Sequence, residues 1–222
     1  MNNNIFLEYL SEEKNNSPEC IKNHKNKRVV FKKEINGQNY YIKKFCLPGR
    51  RGKLLALGLR EDKVNRNIRI SQELEKLNIP HVKILFSYKE KISFLKSVSL
   101  LVTEEGGEVL GNFVWEFEKY RELFVKFFDL FIKLCKNNIY PDDYSYVNVL
   151  VNGKKELVLF DFDEYKIPRF FKTKKFKKRI LQNLKDCLLE EEMEKLEELV
   201  KFSYDQVKRV QKELGWKDIE ID

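Results

Sequence analysis

The residues of this chain best suited to chemistry lie between positions 140 and 163. There Tyr140-Pro141-Asp142-Asp143-Tyr144-Ser145-Tyr146-Val147-Asn148 is followed by Leu159-Phe160-Asp161-Phe162-Asp163. Asn148 comes five positions after Asp143, and Asp161, which ends an apolar run, comes thirteen after Asn148. One carboxylate can orient an attacking hydroxyl and accept its proton. An amide oxygen and a second carboxylate can hold Mg²⁺ against a triphosphate and offset its charge. These residue types at these intervals point to phosphoryl transfer. Asp and Asn are also common in loops because they close local turns, so the pair alone carries little, and the weight comes from the elements around it.

Those elements can be read from the spacing of apolar residues. Phe117, Tyr120, Phe124, Phe127, Phe128, Phe131 and Leu134 recur at helical intervals and predict a long buried helix before the loop. Val149–Val151 and Leu157–Phe160 predict a hairpin turning at Asn152-Gly153, which would return Asp161 to the side of Asp143 and Asn148. Upstream, Arg28–Ile35 and Gln38–Phe45 read as strands joined by Asn36-Gly37, a pair that tolerates positive φ. Val64–Leu77 reads as a helix ending before Asn78-Ile79-Pro80. His81–Tyr88 and Ser97–Thr103 read as strands, the second nearly continuous in apolar residues and therefore central. Ile5–Ser17 predicts a short helical or extended apolar patch followed by a turn. Glu104-Glu105-Gly106-Gly107 breaks the pattern as a hinge. Two polar helices, Phe170–Leu189 and Glu191–Leu214, are expected to close the chain. The predicted organisation is α+β, with residues 1–104 an antiparallel sheet carrying one helix and residues 105–222 mainly helical.

Composition narrows the classes of partner. With 42 % hydrophobic residues, 17 of them Phe among 222, the chain can bury a core. A formal net charge of +8 favours anionic partners: nucleotide, phosphorylated substrate, membrane surface or nucleic acid. Cys20, Cys46, Cys135 and Cys187 are scattered, and with only His24 and His81 no zinc site is expected. A reduced, intracellular protein is the simple reading. Met1–Asn4 lacks a basic segment followed by an apolar run, so no signal peptide is expected, and no apolar stretch is long enough to span a bilayer. Nucleic-acid binding finds no recognisable reading motif.

The loop with its strand-ending aspartate resembles the protein-kinase catalytic loop and metal-binding aspartate, with matching intervals of five and thirteen. That resemblance implies a two-lobed protein-kinase-like fold using ATP and Mg²⁺. In it Asp143 is the catalytic base, and Asn148 and Asp161 are the metal ligands. Tyr40-Tyr41-Ile42-Lys43 is similar to the strand motif whose lysine grips the α- and β-phosphates. By the period of two, Lys43 points inward if Tyr41 does; the other register would use Lys44, expected to face solvent. The resemblance places the lysine's glutamate partner on the Val64–Leu77 helix, with Glu73 the first candidate beside Glu75 and Gln72. It places Glu104 and its neighbours where a hinge offers backbone groups to adenine. Three departures stand out. Pro141 replaces the usual His, Asp163 replaces the usual Gly, and Lys22–Lys27 provides amides and positive charge in place of a Gly-rich loop.

Further pieces resemble the bacterial lipopolysaccharide core kinases, in particular the heptose(II) kinase group, with the Kdo kinases as close relatives. They are Asn36–Phe45 with a basic insertion after it, the helix ending in Leu77-Asn78-Ile79-Pro80, and Leu100–Gly107. The resemblance covers roughly residues 28–165. It implies ATP-dependent phosphorylation of an inner-core sugar by a cytoplasmic enzyme with peripheral contact at the inner membrane. Two basic segments suit an anionic glycolipid: Arg50, Arg51 and Lys53, and the run Lys172, Lys174, Lys175, Lys177, Lys178 and Arg179 interleaved with Phe170, Phe171 and Phe176. The alternatives are another small-molecule kinase of the same fold or a catalytically idle kinase-like binding module.

Overall fold

The computed structural model describes residues 3–25, 27–47, 61–93, 96–168, 173–188 and 197–221. The chain divides into two compact units, Met1–Lys76 with Val82–Glu105, and Leu77–His81 with Gly106–Asp222. Together they make a mixed α/β chain with an antiparallel sheet and several helices.

The first unit is built on five strands: β1 (Cys20–His24), β2 (Arg28–Ile35), β3 (Gln38–Leu47), β4 (Ile84–Ser93) and β5 (Lys96–Glu104). Their order in the sheet is β1-β2-β3-β5-β4, every pair antiparallel. Asn36 (φ 53°) and Gly37 (φ 77°) make the tight β2–β3 turn that their types predict. β5 lies inside the sheet and presents apolar side chains to both faces. On one face Leu100 and Val102 join Val29, Phe31, Tyr40 and Ile42 under Phe6 and Tyr9 of the 3₁₀ segment Asn3–Leu10. On the other, Leu101 and Phe45 meet Val64 of helix α1 (Lys63–Lys76). The Asp62 carboxylate caps α1 by accepting the Val64 N–H at 2.8 Å.

The structure departs from the sequence reading here in three places. β1 is not among the strands that the pattern predicts; its side chains after Cys20 are all exposed, so an edge strand leaves no alternating apolar signal. The strand expected from His81 begins at Ile84, because Pro80 and His81 pair instead with Leu159 of the second unit. Lys44, expected in solvent, is fully buried. Its ammonium donates to the Ser11 carbonyl at 2.7 Å and to Asn15 Oδ1 at 3.0 Å, since the N-terminal 3₁₀ turns cover that face of the sheet. The basic segment Pro48–Lys53 lies outside the described residues.

In the second unit, helix α2 (Phe117–Lys136) buries Phe124, Phe127, Phe128 and Phe131 on the stripe that the spacing predicts. Around it lie β6 (Glu108–Val109), β7 (Tyr140–Pro141), β8 (Val149–Val151), β9 (Leu157–Leu159) and β10 (Tyr165–Lys166), with helices α3 (Lys174–Leu188) and α4 (Glu197–Glu213). β6, β8 and β9 form one small sheet, and β7 pairs with β10. β8 and β9 pair as the hairpin expected around Asn152-Gly153, with residues 152–156 connecting them. Asn152 Oδ1 accepts the N–H groups of Lys154 and Glu156, both at 2.9 Å, and the positive φ falls on Lys155 (58°). The asparagine side chain thus closes a longer loop in place of glycine. Gly107 has φ 134° and passes so near β8 that a Cβ there would lie 2.2 Å from the Val151 carbonyl oxygen. The two closing helices are present over Lys174–Leu188 and Glu197–Glu213; residues 170–172, 189 and 191–196 of the expected spans lie outside the described residues.

Candidate functional site

The second unit positions its site by pinning alternate residues of one loop. Tyr144 and Tyr146 turn into the core, where Tyr144 donates to the Phe127 carbonyl at 2.9 Å and the Tyr146 hydroxyl pairs with Ser203 Oγ at 3.0 Å. Burial drives both phenols well above their ordinary pKa, so they remain neutral anchors. Asp143, before the first anchor, is left exposed. The loop then closes in a 3₁₀ turn, Tyr146–Asn148, with the Asn148 N–H on the Ser145 carbonyl at 3.0 Å. The Asn148 side chain reaches back and donates Nδ2 to the Asp143 carbonyl at 3.2 Å.

Asp161 arrives by strand pairing. Val149 faces Leu159 across the β8–β9 ladder, so Asn148 just before one strand and Asp161 just after the other come to the same end. Asp161 adopts the left-handed conformation (φ 57°, ψ 63°), a turn that costs a non-glycine residue energy and re-aims the chain into the 3₁₀ turn Phe162–Glu164. Its Oδ1 is buried with no hydrogen-bond donor on it, while the residue makes other contacts. Buried Tyr165 senses both acids: burial raises its hydroxyl pKa most, and the charges of Asp161 and then Asp143 raise it further. Asp143, Asn148 and Asp161 are therefore gathered in one region of this unit.

Asp142 was not singled out in the sequence, yet it ties this loop down. Its side chain, 14 % exposed, pairs with Lys166 of β10 and lies 3.4 Å from Arg179 Nε of α3. Asn183 of α3 donates to the Asp142 carbonyl at 3.0 Å, and the Asp142 N–H reaches the Glu164 carbonyl at 3.3 Å. The signal available beforehand was only an acid beside Asp143 and a basic run downstream. Asp163, which stands where the kinase pattern has glycine, is buried in the turn after Asp161.

The residues assigned to nucleotide binding all belong to the first unit. Lys43 sits in β3 opposite Leu101, only 8 % exposed, on the face that carries Phe45 and α1. Glu73 does not pair with it. Its carboxylate takes Lys76 at 2.7 Å, because Glu73 flanks the buried stripe Val64, Asn67, Ile70 and Leu74 and meets the lysine one turn along. Glu75 is exposed and Gln72 likewise, so neither alternative lies on that buried stripe. Glu104 ends β5 opposite Tyr40, and both its N–H and its carboxylate are engaged with the Lys83 backbone at 3.2 Å. Glu105 beside it is held below the usual carboxylate range, first by a hydrogen bond from Asn39 and then by Lys32.

Among the described residues no cluster of three or more His, Cys, Asp or Glu side chains could hold a metal ion. A nucleotide-borne ion does not require one, since phosphate and water oxygens fill most of its coordination sphere. One carboxylate and one amide oxygen would be a fitting protein share, and Asp161 and Asn148 are the residues here that carry such groups. No described helix is long and apolar enough to cross a membrane.

No protein-family model matches the chain, and neither does any curated protein. Among solved structures, WaaP in complex with acyl carrier protein is similar with a TM-score of 0.52 and 12 % identity, over 87 % of this chain and 89 % of that one. The chain shares the fold of WaaP. At that identity the likeness to WaaP speaks for the path of the backbone and leaves the chemistry to the residues.

Proposed function

We propose that this chain is an ATP-dependent kinase of protein-kinase-like, two-lobed fold that phosphorylates a sugar of the lipopolysaccharide inner core, a heptose by its resemblance to the heptose(II) kinase group. The observation that carries the reading is the gathering of Asp143, Asn148 and Asp161, with both carboxylates acting on Tyr165 and the Asn148 amide bonded to the Asp143 backbone. The fold shared with WaaP supports it.

In this reading Asp143, exposed at the loop's edge, accepts the proton of the attacking hydroxyl. Asn148 gives its Nδ2 to Asp143, which leaves its carbonyl oxygen as the acceptor for the cation. Asp161 offers carboxylate oxygens from a backbone turn that the β8–β9 hairpin fixes. Lys43 offers an ammonium to phosphate oxygens from a nearly buried strand position. Bound Mg·ATP supplies the phosphoryl group and offsets the charge that develops during its transfer.

Two variants separate these roles. Asp161→Asn should weaken Mg·ATP binding, read as lost thermal stabilisation relative to nucleotide plus chelator. Asp143→Ala should keep that binding and slow phosphate incorporation into core oligosaccharide by roughly a hundredfold or more. Asp143→Ala turning over at the wild-type rate would refute the assignment. The pairing of Glu73 with Lys76 in place of Lys43 favours one competing reading, a nucleotide-binding module without turnover. That reading gains if Mg·ATP stabilises the wild type and no core oligosaccharide or soluble acceptor is phosphorylated.

A further inference from the structure

The cationic side of α3 carries a cavity of about 480 Å³ lined by Thr173, Lys175, Lys178, Arg179, Gln182 and Asn183 over the ring of Phe176. The helical residues fall at intervals of three and four, so they form one stripe, about 12 Å long at a rise of 1.5 Å per residue. Three side chains of the lining are cations, the others offer amides, a hydroxyl and an aromatic ring, and none is acidic. The sequence carries no Asp or Glu between Lys166 and Lys185.

The stripe ends at the catalytic loop. Asn183 and Arg179, both in the cavity wall, are the residues that reach Asp142, at 3.0 Å to its carbonyl and 3.4 Å to its carboxylate. Asp142 immediately precedes the proposed base Asp143. A molecule lying along the stripe would therefore present its next groups to Asp143. Two carboxylates stand at this end: Asp142 is shared by Lys166 and Arg179, and Asp186 accepts from Gln182 Nε2 at 2.7 Å, so the cations of the wall and its border still outnumber the acids.

A bilayer does not explain the stripe. Ile180, Leu181 and Leu184 of the same helix are buried in the second unit, at 0 %, 0 % and 1 % exposure. Phe176 packs edge-on against Tyr140 at 5.1 Å, and the Arg179 guanidinium covers its ring. No large exposed apolar side chain belongs to the described part of α3. An interfacial helix needs an apolar face to insert, and this one has spent its apolar face on the core. The ammonium groups of Lys175 and Lys178 and the guanidinium of Arg179, carried over the aliphatic and aromatic surface of the groove, suit a compact oxyanion.

We infer that this cavity is the acceptor subsite, holding a phosphate or carboxylate substituent of the sugar acceptor so that a neighbouring hydroxyl meets Asp143. The inference rests on the phosphotransfer reading above and names the residues that would select an anionic acceptor over a neutral one.

The test is calorimetric binding of deacylated lipopolysaccharide core oligosaccharide to the full chain at fixed ionic strength. Maltoheptaose serves as the neutral control, with inorganic phosphate and phosphatidylglycerol-containing vesicles as separate probes. Lys175→Gln/Lys178→Gln should raise the Kd for core oligosaccharide roughly tenfold to thirtyfold, two charge-assisted contacts being lost. Lys175→Arg/Lys178→Arg should restore it to within about threefold, as expected where charge and not shape is read. If the double variant folds poorly, exposed Lys175→Gln alone carries the test with a smaller loss. The inference is overturned if the wild type does not bind core oligosaccharide or binds maltoheptaose equally well. It is overturned too if the Gln variants bind like wild type, if millimolar phosphate alone saturates the site without displacement by core oligosaccharide, or if only vesicle binding is lost. Mg·ATP stabilisation measured in parallel keeps the two readings apart. Its absence with lysine-dependent oligosaccharide binding intact would sink the kinase reading and leave the subsite standing.

Discussion

Replacing Asp142 by Asn keeps the size of the side chain and removes one negative charge from the junction of the loop that carries Asp143, β10 and α3. Deleting one member of a fully buried pair costs about 3–5 kcal/mol, and of an exposed pair about 1 kcal/mol or less. Asp142 lies between these limits: its side chain is 14 % exposed, but Lys166 and Arg179 are 33 % and 48 % exposed and can turn to water. A loss of about 1–2 kcal/mol follows, which for a chain of this length lowers Tm by roughly 3–6 °C. The backbone bond from Asn183 survives the substitution, so the loop should loosen without leaving its place. Asp143, the proposed base, follows directly, and loosening it should reduce kcat about tenfold while the KM for ATP stays put. The assay is a double-mutant cycle with Lys166→Met, read by both unfolding and phosphate transfer. A coupling energy of about 1 kcal/mol is expected. Coupling below about 0.3 kcal/mol, with an unchanged Tm, would show that Asp142 does not brace the loop.

Gly107→Ala should destabilise the second unit by roughly 3 kcal/mol or more, because a Cβ there meets the Val151 carbonyl and the backbone φ of 134° suits glycine alone; denaturant unfolding measures it, and Gly153→Ala, which meets nothing, is the control. In the first unit Glu19 is held below the ordinary carboxylate value of 4.5, first by the hydrogen bond from Lys33, against the opposing effect of burial, and then by Tyr9. The ionised form therefore favours folding. Its contribution is present above about pH 4.5 and fades as pH falls through the lowered folded value. The stability curves of wild type and Glu19→Gln should accordingly differ near neutrality and converge in acid; parallel curves down to the acid limit would deny Glu19 this role.

Much of this molecule can be read directly from local pattern. The β2–β3 hairpin follows from Asn36-Gly37, the inner position of β5 from its nearly continuous apolar run, and the buried stripe of α2 from the phenylalanines at helical spacing. Each depends on residues near in sequence, where the period of a helix or strand and the φ tolerance of a turn act directly. The intervals linking Asp143, Asn148 and Asp161 are legible for the same reason, since one loop and one hairpin are enough to gather them.

What the pattern could not supply depends on which surface covers which. Lys44 reads as solvent-facing until the N-terminal 3₁₀ turns fold over that face and hand its ammonium a carbonyl and an amide oxygen. Glu73 reads as a partner for Lys43 until the rotation of α1 sets it beside Lys76. Asp142 reads as a loop acid until β10 and α3 bring Lys166, Arg179 and Asn183 to it from 24 to 41 positions away. Residue types and short spacings thus determine which groups can do chemistry and which elements carry them. The choice among equally plausible partners for a charge belongs to tertiary packing, because burial decides which charges must be paired and distant segments decide what is there to pair with them.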